Sequence, residues 1–333
     1  MKSEESNQSD LVSINLIDKF LKKSGLEHYR LIAIQGDASK RLYYRVISSD
    51  GCYILMDASK DLMSIQPFIE VASLLSRHEL SSPQIFEQDI QAGLLMLEDL
   101  GDDIYTRVLE KDRSLESPLY DLAIDVLVKI FKDNIHGALP ELNSVILNQG
   151  VEIFAKWFVA KNIDKNDFET AVDELYTIFT GLYKNLKQLK SVVVLRDYHA
   201  DNLLYLPKRT GEGQVGLLDF QDAVMGSPAY DLVSLLEDAR RDVTEEMVQR
   251  ALNRYLTALP TINRQDLMLS YAILGMQRNL RIIGVFSRLH LYYKRPKYLQ
   301  YLPRIWGYVR KGLDNPALAD IKAWFEKYNI PTS

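Results

Sequence analysis

Apolar residues change their period along this chain, and the changes mark its parts. Residues 1–9 are polar and show no period, as expected of a disordered tail. Leu11, Ile14, Ile17, Phe20 and Leu21 then recur at helical spacing, with Asp10 or Ser13 to cap and Ser24-Gly25 to stop. Short β-rich runs follow at Leu31–Ile34, Leu42–Ile47 and Cys52–Met56, separated by the polar turn QGDASKR and by Asp50-Gly51. Ser64–His78 predicts a helix with Pro67 in its first turn, and two further strands are predicted near Gln84–Phe86 and Leu94–Leu97. These elements make a small antiparallel-sheet lobe over residues 10–100.

The period lengthens after EDLGDD. Helices are predicted over Leu115–Asn134, Val151–Ala160, Asp167–Leu189, Ala229–Ala239, Glu245–Leu259, Arg264–Ser287 and Tyr298–Leu313. The fold class is therefore α+β, with a sheet lobe and a larger helical lobe over residues 101–333. A junction of this kind commonly binds nucleotides.

One stretch interrupts the helical lobe, VVVLRDYHADNLLYLPKRTGEGQVGLLDFQDA, from Val192 to Ala223. Val192–Leu195 is too short and too β-branched for a helix and reads as a buried strand ending at Arg196-Asp197. Leu203–Leu206 and Val215–Leu218 make a hairpin across Pro207–Gly213, so Asp219 leaves a strand end near the loop of Asp197 and Asn202. An aspartate, an asparagine five residues on and a second aspartate at a strand end form the acidic half of a phosphoryl-transfer site. One carboxylate orients the attacking hydroxyl, and hard cations take oxygen ligands.

Composition narrows the class. The chain has 333 residues, 47% hydrophobic and 26% charged, which is ordinary for a folded domain of this size. A net charge of −5 without a long basic tract argues against nucleic acid as a partner. The single cysteine, Cys52, excludes an internal disulfide and fits a reducing compartment. With no apolar signal core at the N-terminus and no run of membrane-spanning length, a cytoplasmic protein with no membrane contact is expected.

LRDYHADNLLYL, followed by GLLDFQDAVMGSPAYDLVSLLED, resembles the catalytic core of the aminoglycoside phosphotransferase-like kinases, relatives of protein kinases with the same two-lobed fold. Within that superfamily GDASKRLYYRV, YILMDAS, LLDFQDAVMGSPAYDLVSLLEDARRDV and QRNLRIIGVFSRL resemble the bacterial anomeric kinases of N-acetylmuramate and N-acetylglucosamine, from about Ile34 to Val309. The resemblance implies a monomeric, ATP- and Mg²⁺-dependent kinase of a small amino sugar, acting in cell-wall recycling. Asp197 becomes the catalytic carboxylate, and Asn202 and Asp219 become the metal ligands. His199 is either a second base or a structural histidine. Asp222 either touches substrate or metal or caps its loop. Asp231 is expected to brace the catalytic loop from outside the site.

For the nucleotide, Gly36 and Ser39 lie in the loop that replaces the phosphate-covering turn, and Arg41 and Arg45 follow on one side of a strand. Met56 stands where kinases of this fold carry the strand lysine, so one of these arginines is expected to supply the missing charge, with different geometry. Glu98 and Leu100 lie in the linker expected to meet adenine through its backbone. For the sugar, Arg240, Arg241, Arg278 and Arg281 are candidates for a lactyl carboxylate, with Gln277 and Asn279 alongside; Tyr230, Phe286 and Tyr292 either stack on a pyranose or fill the core. Two rivals stand beside this reading. One is another small-molecule kinase of the same fold, such as an aminoglycoside phosphotransferase; the other is a catalytically inactive kinase-like binding protein.

Overall fold

The computed structural model describes residues 15–34 and 41–333. The expected tail, the first turn of the expected N-terminal helix, Gly36 and Ser39 lie outside the described residues. In chain order the elements are α1 (15–23), β1 (Tyr29–Ile34), β2 (Leu42–Ser48), β3 (Gly51–Asp57), α2 (Ile65–Arg77), β4 (Ile85–Asp89), β5 (Leu94–Glu98), α3 (Tyr105–Lys111), α4 (Glu116–Lys132), α5 (Ser144–Phe154), the one-turn α6 (Ala160–Asn162), α7 (Phe168–Tyr183), β6 (Val192–Val194), β7 (Leu203–Tyr205), β8 (Val215–Leu217), β9 (Val224–Gly226), α8 (Ala229–Leu236), α9 (Glu245–Ala258), α10 (Arg264–Leu291), α11 (Leu302–Leu313) and α12 (Ala319–Lys327). They divide into two compact units, residues 1–103 with 206–222, and residues 104–205 with 223–333.

The first unit is a five-stranded antiparallel sheet in the order β1-β2-β3-β5-β4. Strand alternation puts Val46, Leu55, Leu94 and Met96 on one face, where Ile17, Phe20 and Leu21 of α1 cover them. Met56 is fully buried opposite Tyr43 and fills core volume. The returning segment 206–222 is tied to this sheet. The Leu217 N–H donates to the Ser81 carbonyl at 2.8 Å, the Ser81 hydroxyl donates to the Gly213 carbonyl at 2.7 Å, and Phe220 stacks on Phe68 of α2 with centroids 5.0 Å apart. The expected boundary near residue 100 thus omits an insertion that the sheet unit takes from further along the chain.

The second unit is built around α10, a helix of 28 residues that packs against α5, α8 and α11. β6 pairs with β9, Val192 opposite Gly226 and Val194 opposite Val224. Trp306 and Trp324 are fully buried, and the Trp324 indole donates to the Ala171 carbonyl at 2.8 Å. A Cβ on Gly284 would lie 2.6 Å from the Ile153 carbonyl carbon and the Phe154 nitrogen, so α10 touches α5 with bare backbone. Expectation and structure differ at α5, which begins seven residues before Val151 because the Asn143 side chain accepts from the Val145 and Ile146 N–H groups. The helices α3 and α12 were not expected. Among the described residues no helix is long and apolar enough to cross a membrane.

Gly284→Ala should lower unfolding free energy by about 1–3 kcal/mol, because the added methyl must push α10 away from α5 at a backbone contact. Gly181→Ala, at an exposed helical position with nothing within 4 Å, should raise it by about 0.5–1 kcal/mol. Urea unfolding of both variants checks the contrast.

Candidate active site

In the second unit β6 runs out at Leu195, and the next residue, Arg196, takes φ +70°, a left-handed conformation uncommon for a side chain of this size. That reversal presents Asp197 at the start of a tight loop. The His199 N–H donates to the Asp197 carbonyl at 3.2 Å, and the Asn202 N–H donates to the His199 carbonyl at 2.8 Å. The Asn202 side-chain amide also donates to the Asp197 carbonyl, at 2.9 Å. This bond fixes the amide orientation and leaves its Oδ1 as the atom Asn202 can offer a cation.

The reversal is held by α8. The Asp231 carboxyl accepts from the Leu195 N–H at 2.6 Å and from the Arg196 N–H at 2.9 Å, one oxygen each. One turn on, the Ser234 hydroxyl donates to the Arg196 carbonyl at 3.0 Å, and Arg278 of α10 donates to Ser234 at 2.9 Å. Both peptide groups of the strained residue are therefore gripped by a single face of one helix. Burial pushes the Asp231 carboxyl up to about 7, against the two N–H donors and the Arg278 charge.

Asp197 is half-buried among cations. Burial works to raise its carboxyl, but the neighbouring positive charge, that of Arg281 foremost, outweighs it and holds the group below its ordinary value. Burial lowers His199, so the imidazole is neutral near pH 7. Its Nε2 faces the Asn202 amide and an Arg240 nitrogen, each at 3.4 Å, which suits the acceptor tautomer at that nitrogen. These contacts fit a structural histidine better than a second base.

The four expected arginines separate. Arg240 pairs with Asp201 at 3.2 Å, Arg241 pairs with Glu116, and Arg278 is 4% exposed and spent on Ser234. Arg281 alone of the four lines a cavity of about 130 Å³ in this unit, with Arg196, Tyr230 and Gln277. Phe286 packs on Tyr298 and Tyr301, a core role, whereas Tyr292 is exposed and meets Trp157 edge-on. The apolar lining of the cavity, Leu142, Ile146 and Ile153, comes from and just before α5. Apolar periodicity starts that helix only at Val151 and so misses Leu142 and Ile146; the cap at Asn143 is the signal that would have found the helix start.

In the first unit Asp219 takes φ +56° just past β8, and its side chain is 45% exposed. Its Oδ1 accepts from Arg41 at 3.0 Å and from the Gln221 amide at 3.1 Å, while Arg41 also donates to the Gln221 carbonyl oxygen at 2.7 Å. Arg41 is 7% exposed, so a buried cation holds this carboxylate. Arg45 is engaged elsewhere, by Asp99 at 2.6 Å and Asp102 at 2.8 Å. The two arginines are thus not interchangeable. Asp222 is exposed and lies 3.5 Å from the Gln221 amide. Glu98 ends β5, pairs with Arg209 and accepts from the Gln84 N–H at 3.3 Å; Leu100 is half-buried beside it. Among the described residues no group of three or more His, Cys, Asp or Glu could hold a metal by itself. Carboxylate and amide oxygens are donors that suit a hard cation such as Mg²⁺.

A sequence model of the phosphotransferase enzyme family matches residues 30–265. A protein of Caulobacter vibrioides named N-acetylmuramate/N-acetylglucosamine kinase is 35% identical over 93% of this chain and 94% of its own. One of Pseudomonas aeruginosa with the same name is 31% identical over 87% of this chain and 86% of its own. The crystal structure of an ADP-bound aminoglycoside phosphotransferase superposes with a TM-score of 0.58 over 91% of this chain and 98% of that one, at 15% identity, a likeness of fold.

Asp231→Asn keeps the shape but offers one acceptor oxygen where two N–H groups need one each. It should cost about 2–3 kcal/mol of stability, read by urea unfolding. Because the folded-state carboxyl is raised above its ordinary 3.8, the native protein binds the proton more tightly than the unfolded chain. The wild-type advantage over the variant should therefore shrink as pH rises from about 4 through about 7.

Proposed function

This chain belongs to the phosphotransferase enzyme family, and from that premise we propose that it phosphorylates the anomeric hydroxyl of N-acetylmuramate or N-acetylglucosamine with ATP and Mg²⁺. The observation that carries the reading is Asp197, presented by a braced strand end and kept ionised by arginines. Kinship over most of the chain with two proteins named for these sugars supports the acceptor. It also favours this reading over an aminoglycoside kinase, whose polycationic substrates would meet Arg196 and Arg281 unfavourably. A sugar 1-phosphate suits a route that returns wall sugars to nucleotide-sugar precursors, in the cytoplasm.

In this mechanism the Asp197 carboxylate accepts a hydrogen bond from the anomeric hydroxyl and aligns its oxygen with the γ-phosphorus. A new O–P bond forms, the bond from that phosphorus to the β,γ-bridging oxygen breaks, and the hydroxyl proton passes to the carboxylate late in the step. Asn202 and Asp219 are the oxygen donors assigned to Mg²⁺, which when bound neutralises charge on the phosphates. Arg41 is assigned the charge that the absent strand lysine would supply. The missing lysine therefore does not make this chain inactive. Glu98, Leu100, Gly36 and Ser39 keep their assignments along the nucleotide.

The direct test is a sugar panel with ATP and Mg²⁺, with phosphorus NMR to locate the ester. A 1-phosphate of N-acetylmuramate or N-acetylglucosamine is expected; phosphate on another position or only on aminoglycosides would refute the reading. Asp197→Asn should reduce kcat by on the order of 10²–10⁴-fold with little change in nucleotide binding, whereas Asp219→Asn should raise the Mg²⁺ concentration needed for nucleotide binding. Steady-state rates together with nucleotide titrations separate the two.

The acid limb of kcat/KM offers a further check. Asp197 works as a base above its pKa, and that pKa is lowered, so wild-type activity should persist down into the ordinary carboxylate range. Arg281→Gln removes the strongest lowering charge and should move the acid limb to higher pH.

A further inference from the structure

Gln277 lies on α10 beside Arg278, 1% exposed, and its side-chain amide is anchored. Its Nε2 donates to the Leu147 carbonyl of α5 at 2.8 Å, which fixes which end of the amide is which. Its Oε1 is buried and has no hydrogen-bond partner. A buried acceptor left open costs free energy, so such an atom calls for a donor. Gln277 lines the same 130 Å³ cavity as Arg281, and the lining also holds Arg196 and the apolar Leu142, Ile146 and Ile153. At this volume, close to the roughly 150 Å³ at which an apolar cavity admits benzene, a substituent fits and a whole saccharide does not.

We infer that this cavity reads the N-acetyl group of the acceptor sugar, with Gln277 as the specificity-determining residue. The inference rests on the amino-sugar reading above. An acetamide offers one N–H, one carbonyl and one methyl. The lining residues carry the complement: the unpartnered Oε1 of Gln277, the guanidinium of Arg281 and an aliphatic wall. Glucose lacks the methyl, and glucosamine places an ammonium against two arginines. Gly150 maintains the geometry, since a Cβ there would lie 3.1 Å from the Arg281 Cβ and collide with the Gln277 amide.

The test compares N-acetylglucosamine with glucose and glucosamine in the wild type, Gln277→Met and Ile146→Phe, by turnover and by calorimetric binding without nucleotide. Methionine keeps the length of glutamine and removes its acceptor; phenylalanine at the half-buried Ile146 fills the cavity from its apolar side. The wild type should bind N-acetylglucosamine in preference to both others. The ratio of kcat/KM for N-acetylglucosamine to that for glucose should fall about tenfold or more in each variant, with the KM for ATP unmoved. The inference is overturned if the wild type shows no binding preference for the acetylated sugar. It is equally overturned if both variants lower the two sugars alike while their melting temperatures stay near the wild-type value. Preferential binding without phosphorylation would sustain the inference and sink the proposed reaction instead.

Discussion

Everything chemical in the second unit depends on two N–H groups meeting one carboxyl. Asp231 holds the Leu195 and Arg196 amides, and with them Arg196 at φ +70°. A left-handed arginine is unfavourable on its own, so the surroundings must over-determine it. The Ser234 hydroxyl and the Arg278 guanidinium complete the grip, which links α8 and α10 to the loop they support. Asp197 is rigid because its neighbour is constrained. A base placed by the backbone in this way needs no reorganisation when a hydroxyl arrives.

Charge is arranged around the same residue with a similar division of labour. Arg278 is buried and structural, whereas Arg281 lines open space; both lower the Asp197 carboxyl. Asp219, in the first unit, is held by Arg41 and Gln221. The Arg41 guanidinium bonds Asp219 and the Gln221 carbonyl oxygen together, a role that the point charge of a lysine fills poorly.

Much of this was legible in the chain, for identifiable reasons. The strands of the sheet unit could be read because β-branched runs alternate with strong turn signals such as Asp50-Gly51, and the acidic residues because their spacing is set by a short loop. The insertion of 206–222 into the sheet unit was not legible, since the contacts of Ser81 with Gly213 and Leu217 join residues more than a hundred positions apart. Nor could spacing separate the four arginines. Arg278 and Arg281 share a helical face, yet Ser234 takes one and a cavity takes the other. Periodicity assigns a side, and only tertiary partners assign an occupant.

The crossing of α10 over α5 has a consequence for how this protein can change. At Gly284 the two helices meet backbone to backbone, and at Gly150, which lines the cavity, bare backbone meets the side chains of Gln277 and Arg281, so neither glycine can take a side chain without moving a neighbour. Drift or directed evolution therefore has no side chain to trade at these two positions. Variation is left to lining positions that carry side chains, such as Leu142, Ile146 and Ile153, all half-buried. New acceptor preferences in this lineage should arise at those few wall positions, with the crossing itself left untouched.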